Sequence, residues 1–159
     1  MEKIPNVFLK VPDYNCFGCS PDNEQGLRLE FFAREDGVCV TEFVPSRTFS
    51  GFPGICHGGI AATVLDELAF WTVFHSLRRF ALTAKMELKF RLPVPVDEKV
   101  TAEMKVKGKR GNIVMLEGVL KRGDGRAAVV GELAYYLVDA AGWRRATGSA
   151  VHESIEEYL

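Results

Sequence analysis

Two short stretches of the chain gather the side chains that could do chemistry. In "HGGIAATVLDE", His57 to Glu67, a histidine and two glycines precede an apolar run that carries two adjacent acids in its middle. Glycines at a helix start let a ligand approach the backbone, and the first-turn amides there are unpaired donors at the positive end of the helix dipole. Gly58 and Gly59 therefore outline an oxyanion hole, or else no more than a tight turn into a helix. Asp66 and Glu67 offer carboxylates for general-base or nucleophilic work. The second stretch is "CFGCSPDNEQGL", Cys16 to Leu27. Cys16 and Cys19 have the spacing of half a zinc site, which Cys56 and His57 could complete if the fold gathers them. No second Cys-x-x-Cys exists, and the βαβ context of a redox motif is absent. Cys39, alternating within a predicted strand, reads as core.

The elements that must position these groups can be read from periodicity. A helix from Gly59 to about Arg78 would be roughly 30 Å long. Thr63, Asp66 and Glu67 stand at i, i+3 and i+4 on it, so its few polar groups share one stripe. The same stretch is apolar enough to suggest a membrane span, but a central charge costs about 2.5 to 3.5 kcal/mol there, and two are present. A helix buried inside a globular domain is the better reading. Thr83 to Leu92 alternates polar and apolar residues with period two, predicting a strand with Ala84, Met86, Leu88 and Phe90 on its buried face. Val100 to Lys107, Ile113 to Lys121 and Ala127 to Val138 predict three more strands, joined by turns at Gly108–Asn112 and Arg122–Arg126. Gly26–Ala33 and Val38–Val44 form a further predicted pair upstream.

The order is two strands, one long helix, then four strands. A helix apolar nearly all round has to be wrapped by the sheet to bury itself, so the expected class is α+β, one central helix wrapped by an antiparallel sheet of about six strands. With 159 residues, 47% of them hydrophobic, the chain suits a single domain, residues 1–25 forming a cysteine-containing lead-in and 143–159 a tail. Lysine plus arginine number 20 against 21 acids, which removes the bulk positive charge that nucleic-acid binding needs. A small molecule or a second copy of the chain is the expected partner, with no nucleic acid and no membrane. The first residues carry neither a signal-peptide core nor an arginine-rich transit pattern, so the cytoplasm is the expected location.

"HGGIAATVLDE" resembles the signature of hotdog-fold acyl-CoA thioesterases of the phenylacetate-degradation type, in the 4-hydroxybenzoyl-CoA thioesterase superfamily. The resemblance continues through "TAKMELKFRLPVPVDEKV", Thr83 to Val100, and covers most of the chain from Gly26 to about Val138. Where the family has Leu-Arg-Pro, this sequence has Arg91-Leu92-Pro93, which leaves that arginine without a carried-over role. The resemblance implies a hotdog fold and hydrolysis of an acyl-CoA thioester without a cofactor or metal. It implies that Gly59, helped by Gly58, donates its amide to the thioester carbonyl, and that Asp66 is nucleophile or general base. His57 would shape the turn near the carbonyl, and Thr83 would position the water or the acid. Glu67 would tune Asp66 beside the substrate. Similar cysteine-rich lead-ins with an Asn and a Gly-Leu occur in a subgroup of the family, implying that Asn23 and its neighbours form a structured cover over the substrate tunnel. Phe52 and Phe70, with Phe49, Trp71 and Phe74, could line an acyl pocket or simply be core. Lys107, Lys109 and Arg110 at one turn, and Lys121, Arg122 and Arg126 at another, could meet coenzyme A phosphates or be plain surface.

Helix geometry adds a constraint of its own. Gly59 and Asp66 are seven residues apart, about 10 Å along the axis. A general base must come within roughly 2.6 to 3.2 Å of its proton, or act through one water. One chain cannot bring both groups to one carbonyl, so the expected assembly is a homodimer in which Gly59 of one subunit faces Asp66 of the other, either alone or paired into a tetramer. Adjacent carboxylates in an apolar element should also raise the pKa of one of them. Two other readings compete: a hotdog-type hydratase or dehydratase using His57 beside an acid, and a non-catalytic acyl-CoA-binding protein in which the acids only fix an interface.

Overall fold

A computed structural model describes residues 1–159. Its centre is helix α1, Gly58–Leu77, which starts on the predicted glycines and ends where Arg78 turns into the left-handed region at φ 52°. Leu65, Leu68, Ala69, Trp71, Val73 and Phe74 on this helix are fully buried, and they point in all directions around its axis. One sheet face cannot cover such a helix. Two layers do.

The first layer is a seven-stranded antiparallel sheet. Its strands are β1 (Glu2–Lys3), β2 (Phe32–Ala33), β3 (Cys39–Phe43), β6 (Ala81–Phe90), β7 (Val100–Arg110), β8 (Ile113–Lys121) and β9 (Ala127–Leu137), in the spatial order β1-β2-β3-β7-β8-β9-β6. The last three strands form the predicted meander, with Val106 opposite Leu116 and Leu116 opposite Leu133 across it. Helix α1 lies on the inner face, against Met104, Leu116, Leu120 and Leu133. This is a hotdog fold, with one strand more than the sequence suggested.

The second layer consists of the lead-in and the tail. Phe8 meets Trp71 edge-on with ring centroids 6.0 Å apart, Phe31 stacks on Trp71 at 5.5 Å, and Tyr158 meets Phe74 at 4.9 Å. The tail, left unassigned by periodicity, forms helix α2 (Ala140–Thr147) and a 3-10 turn (Glu153–Tyr158) that buries Ile155.

Three expectations need correction. The upstream strand over Gly26–Ala33 shrinks to Phe32–Ala33 because Arg28 takes a left-handed φ of 52°. Leu27, Leu29 and Phe31 still alternate inward, but the Leu27 and Leu29 amides bond to Phe17 and Gly18 of the lead-in instead of to a strand. A short hairpin of β4 (Ser50–Phe52) and β5 (Ile55–Cys56) precedes the helix and was not foreseen, since its strands are too short to show a period. Strand β6 does not bury one clean face. It is the sheet's edge, with Leu82, Met86 and Phe90 each more than a third exposed. A bulge between Thr83 and Lys85 also changes its phase, so Ala81 and Thr83 point inward before it and Met86 and Leu88 after it.

Leu68→Ala should lower unfolding free energy by about 2–5 kcal/mol, because Leu68 sits fully buried between the two layers. Urea unfolding should show an earlier midpoint at unchanged slope.

Candidate active site

The chain enters helix α1 through the β4–β5 hairpin. The His57 amide is fixed to the Phe49 carbonyl at 2.8 Å, and the His57 carbonyl accepts from Ile60 at 3.0 Å. The His57 ring then folds over the helix start, where its Nδ1 accepts the Gly59 amide at 2.9 Å. A Cβ at Gly59 would stand only 3.0 Å from that nitrogen, so the glycine is what lets the ring seat so closely. The amide expected to serve a carbonyl is therefore capped by the neighbouring imidazole, while the Gly58 amide donates to no protein group. A cavity of about 420 Å³ opens beside this turn, lined by Phe52, His57, Gly58, Phe90 and Leu92 among others.

Asp66 lies two turns further on. Thr83 Oγ1 donates to its Oδ1 at 2.8 Å, and the Tyr135 hydroxyl approaches both that oxygen and the Asp66 carbonyl, the latter at 2.7 Å. The β6 bulge is what turns Thr83 toward the helix. Tyr135 comes from β9 and is 1% exposed. Burial first, and then the charge of Asp66, push its phenol well above the ordinary value, so it remains a donor. Both donors converge on Oδ1, leaving Oδ2 without a protein partner.

Glu67 faces the lead-in. The Cys16 thiol donates to its Oε1 at 3.2 Å, the Cys19 thiol donates to Cys16 Sγ at 3.4 Å, and the Gly18 amide also reaches Cys16 Sγ, at 3.3 Å. A Cβ on Gly18 would fall 2.2 Å from Glu67 Cγ, so this loop can close on the helix only with glycine there. Tyr14 and Asn6 back the arrangement, the tyrosine hydroxyl lying 3.0 Å from Cys19 Sγ and accepting from Asn6 at 3.0 Å. The Glu67 carboxyl is pushed up to about 8 by burial and then by Cys16. The Cys16 thiol is drawn below its usual value, foremost by the Cys19 thiol, and Cys19 is raised in turn.

Asp66, Glu67, Cys16, Phe70, Thr83 and Tyr135 share one apolar cavity of about 270 Å³, walled by Phe8 and Tyr14 from the lead-in and Trp143 from the tail. The predicted site residues thus separate into two groups. His57, Gly58 and Phe52 line one cavity, and Asp66, Thr83, Glu67 and Phe70 line the other. Gly59, its amide capped by His57, lines neither, and nor does Asn23. Its side chain braces the lead-in, donating to the Asn15 carbonyl at 3.1 Å and accepting from the Gln25 amide at 3.0 Å. Cys56 and His57 do not join Cys16 and Cys19 as the zinc spacing suggested, because they sit at the other end of the helix's first two turns; the third group beside the two thiols is Glu67. Among the cationic turns, Lys107 is paired with Glu132 at 2.6 Å, Lys121 with Glu103 at 2.8 Å and Arg126 with Asp124 at 2.8 Å. A recess of about 480 Å³ lies on the outer sheet face among such ion pairs and touches none of the predicted site residues.

Tyr135 is the functional-site residue that the sequence reading passed over. The signal was available: a tyrosine at an inward position of a central strand needs a partner for its hydroxyl. Gly18 carried no comparable signal.

The sequence profile of the thioesterase superfamily matches residues 53–129. The match covers a little under half of the chain, which over that stretch is similar to the thioesterase superfamily, and its fold is the hotdog fold. Among solved structures it is similar to RHA08564, a thioesterase superfamily protein (21% identity over 76% of this chain, TM-score 0.70), and spans 62% of that protein's length. It is also similar to a hypothetical thioesterase of Streptococcus pneumoniae solved with coenzyme A (16% identity, 69% of this chain and 85% of the other, TM-score 0.64). That protein has also been solved with an aspartate, and separately a threonine, replaced by alanine. The E. coli PaaI protein from the phenylacetic acid degradation operon is similar over 69% of this chain and 83% of its own, at 15% identity and TM-score 0.63. No curated protein sequence matches the chain.

Tyr135→Phe should destabilise the protein by about 1–3 kcal/mol, since the Asp66 carbonyl and carboxylate both lose a buried donor. Chemical denaturation of the two proteins side by side measures it.

Proposed function

We propose that the protein hydrolyses an acyl-CoA thioester to the free acid and coenzyme A, as a thioesterase of the phenylacetate-degradation type. The observation that carries this reading is the Asp66 carboxylate, held through one oxygen by Thr83 and Tyr135 and free at the other, in the wall of an apolar cavity. Such a group can take a proton from water as it attacks the thioester carbon, or attack that carbon itself. Either route gives a tetrahedral oxyanion and then expels the coenzyme A thiolate, which takes up a proton; direct attack leaves an Asp66 anhydride that water then cleaves to the free acid. The oxyanion needs donors already in place, which the Gly58 amide and, once the His57 ring swings aside, the Gly59 amide supply. Phe70, Phe8 and Trp143 would hold the acyl group, while Phe52 and the turn would hold the thioester end. The coenzyme A complex and the PaaI protein among the similar structures support the substrate class. An aspartate and a threonine chosen for replacement in the former fit the Asp66–Thr83 pair.

The active unit is a homodimer. Two separate cavities on one chain, one holding the glycine turn and the other the acid, support a site made from both subunits. The ten-residue edge strand β6, with Leu82, Met86 and Phe90 exposed, supports edge-to-edge pairing of two copies around a two-fold axis. In this reading residues 1–159 act as one domain, and the four unpaired thiols suit the reducing cytoplasm.

A panel of short, long and aromatic acyl-CoAs should show thiol release by the wild type. Asp66→Asn should lower kcat by about 10²-fold or more with acyl-CoA still bound, and Thr83→Ala by a smaller factor. Binding without thiol release by the wild type, or an unchanged rate in Asp66→Asn, would overturn the assignment in favour of a binding protein. The shared site has its own test. Inactive Asp66→Asn and an inactive turn variant, Gly59→Val, are unfolded together and refolded; random pairing should recover about a quarter of wild-type activity, because half the dimers are mixed and each has one intact site. No recovery despite mixed dimers would show that each chain carries its own site.

A further inference from the structure

The trio Cys16, Cys19 and Glu67 is not used by the hydrolytic reading, and its geometry asks for an explanation. Two thiols and a carboxylate place one ligand atom each within 4.8 Å of the others. The measured edges are 3.4 Å between the two sulfurs and 3.2 Å between Cys16 Sγ and Glu67 Oε1. A tetrahedral zinc ion with bonds of about 2.3 Å to sulfur and about 2.0–2.2 Å to oxygen requires ligand separations of roughly 3.5–3.8 Å. Both edges at Cys16 lie within a few tenths of an ångström of that, and the third, between Cys19 and Glu67, is under 4.8 Å.

Charge points the same way. The cavity that these residues share holds Asp66, Glu67 and two thiols, and no lysine, arginine or histidine lines it. Neither Asp66 nor Glu67 forms an ion pair with any basic side chain of the chain. A buried carboxylate beside two thiols, with no basic side chain at hand, is costly unless a cation or retained protons neutralise the cluster. The loop is also shaped to hold a metal. The Gly18 amide points at Cys16 Sγ, stabilising a thiolate, and the missing side chain at Gly18 is what admits Glu67 to the two sulfurs.

We infer that Cys16, Cys19 and Glu67 form a zinc site that pins the N-terminal lead-in to helix α1, with the fourth position taken by water on the cavity side. Binding forms two Zn–S bonds and two Zn–O bonds, to Glu67 and to the water, and the two thiol protons, with any proton held by Glu67, pass to solvent as the ion sheds the rest of its hydration shell. The ion then acts as the clasp of the cavity's lead-in wall, where Phe8 and Tyr14 stand. The thiolate pair selects a borderline-soft, tetrahedral ion over magnesium or calcium.

The test uses the full chain purified under reducing conditions, with metal content read by mass spectrometry after gel filtration and the site then reloaded with Co²⁺. The expected result is one zinc per chain and, with cobalt, a near-ultraviolet thiolate-to-metal charge-transfer band that is lost in Cys16→Ser and in Cys19→Ser. Glu67→Gln keeps the shape of the side chain and should weaken zinc in a chelator competition by more than the roughly 10–100-fold that loss of an outer-shell partner costs. Chelator treatment of the wild type should speed proteolysis within residues 1–25. A chain that holds no zinc after reloading and shows no charge-transfer band overturns the inference. So does a non-reduced mass lower by two thiol hydrogens under these conditions, which would mark a Cys16–Cys19 disulfide. Zinc affinity unchanged in Glu67→Gln removes the carboxylate from the site and overturns the assignment as stated. Metal binding is read without any acyl-CoA, so it stands or falls separately from the thioesterase activity.

Discussion

A helix whose side chains are apolar nearly all round cannot be satisfied by a sheet that covers one side of it. In this chain the second side is covered by the first thirty residues and the last twenty, which bring Phe8, Phe31 and Tyr158 onto Trp71 and Phe74. That requirement explains why the ends of the chain are ordered against the core. It also decides where a small molecule can enter. The cavity beside Asp66 is a seam between the two layers, with helix and sheet residues on one side and Phe8, Tyr14 and Trp143 on the other.

Asp66 and Glu67 are adjacent in sequence but belong to different environments because the helix turns about 100° between them. Asp66 faces the sheet, where two hydroxyls from β6 and β9 meet one of its oxygens. Glu67 faces the lead-in, where thiols take the place of hydroxyls. The adjacent pair therefore divides into a carboxylate fixed by hydroxyl donors and one buried beside thiols, and burial pushes the latter, Glu67, up to about 8. Adjacency alone did not dictate this split; the direction each side chain leaves the helix did.

The elements with strong periods were legible from the residues. Ile113–Lys121 coincides with β8, and helix α1 is displaced by a single residue at each end from the stretch the glycines and apolar spacing marked out. The parts that escaped depend on long-range packing. Strand β6 alternates cleanly in sequence, yet its bulge reverses the phase after Thr83 and puts the threonine on the helix side, where the alternation had it facing solvent. A period cannot reveal a residue that is skipped. Cys16 and Cys19 were readable as half a ligand set, but Glu67 lies 51 residues from Cys16 and had been assigned to the other acid's neighbourhood. Tyr135 was hidden in a strand apolar on both faces, where a tyrosine looks like any other core aromatic.

The edge strand links these observations to the assembly. Strand β6 ends the sheet with a free row of backbone donors and acceptors, and Phe90 on it lies against Gly58, 3.4 Å from where a Cβ of that glycine would stand. Its first half carries Thr83, bonded to Asp66, and its last residue reaches the glycine turn. One strand of ten residues thus spans both cavities, at about 3.3 Å per residue a distance of some 30 Å, nearly the length of the helix beneath it. An antiparallel copy of the same strand laid along that edge would run from turn to acid as this one runs from acid to turn. In the homodimer proposed above, the two-fold axis that pairs the sheet edges would also carry one chain's glycine turn toward the other's aspartate, so that covering an exposed edge and completing a site would be one event.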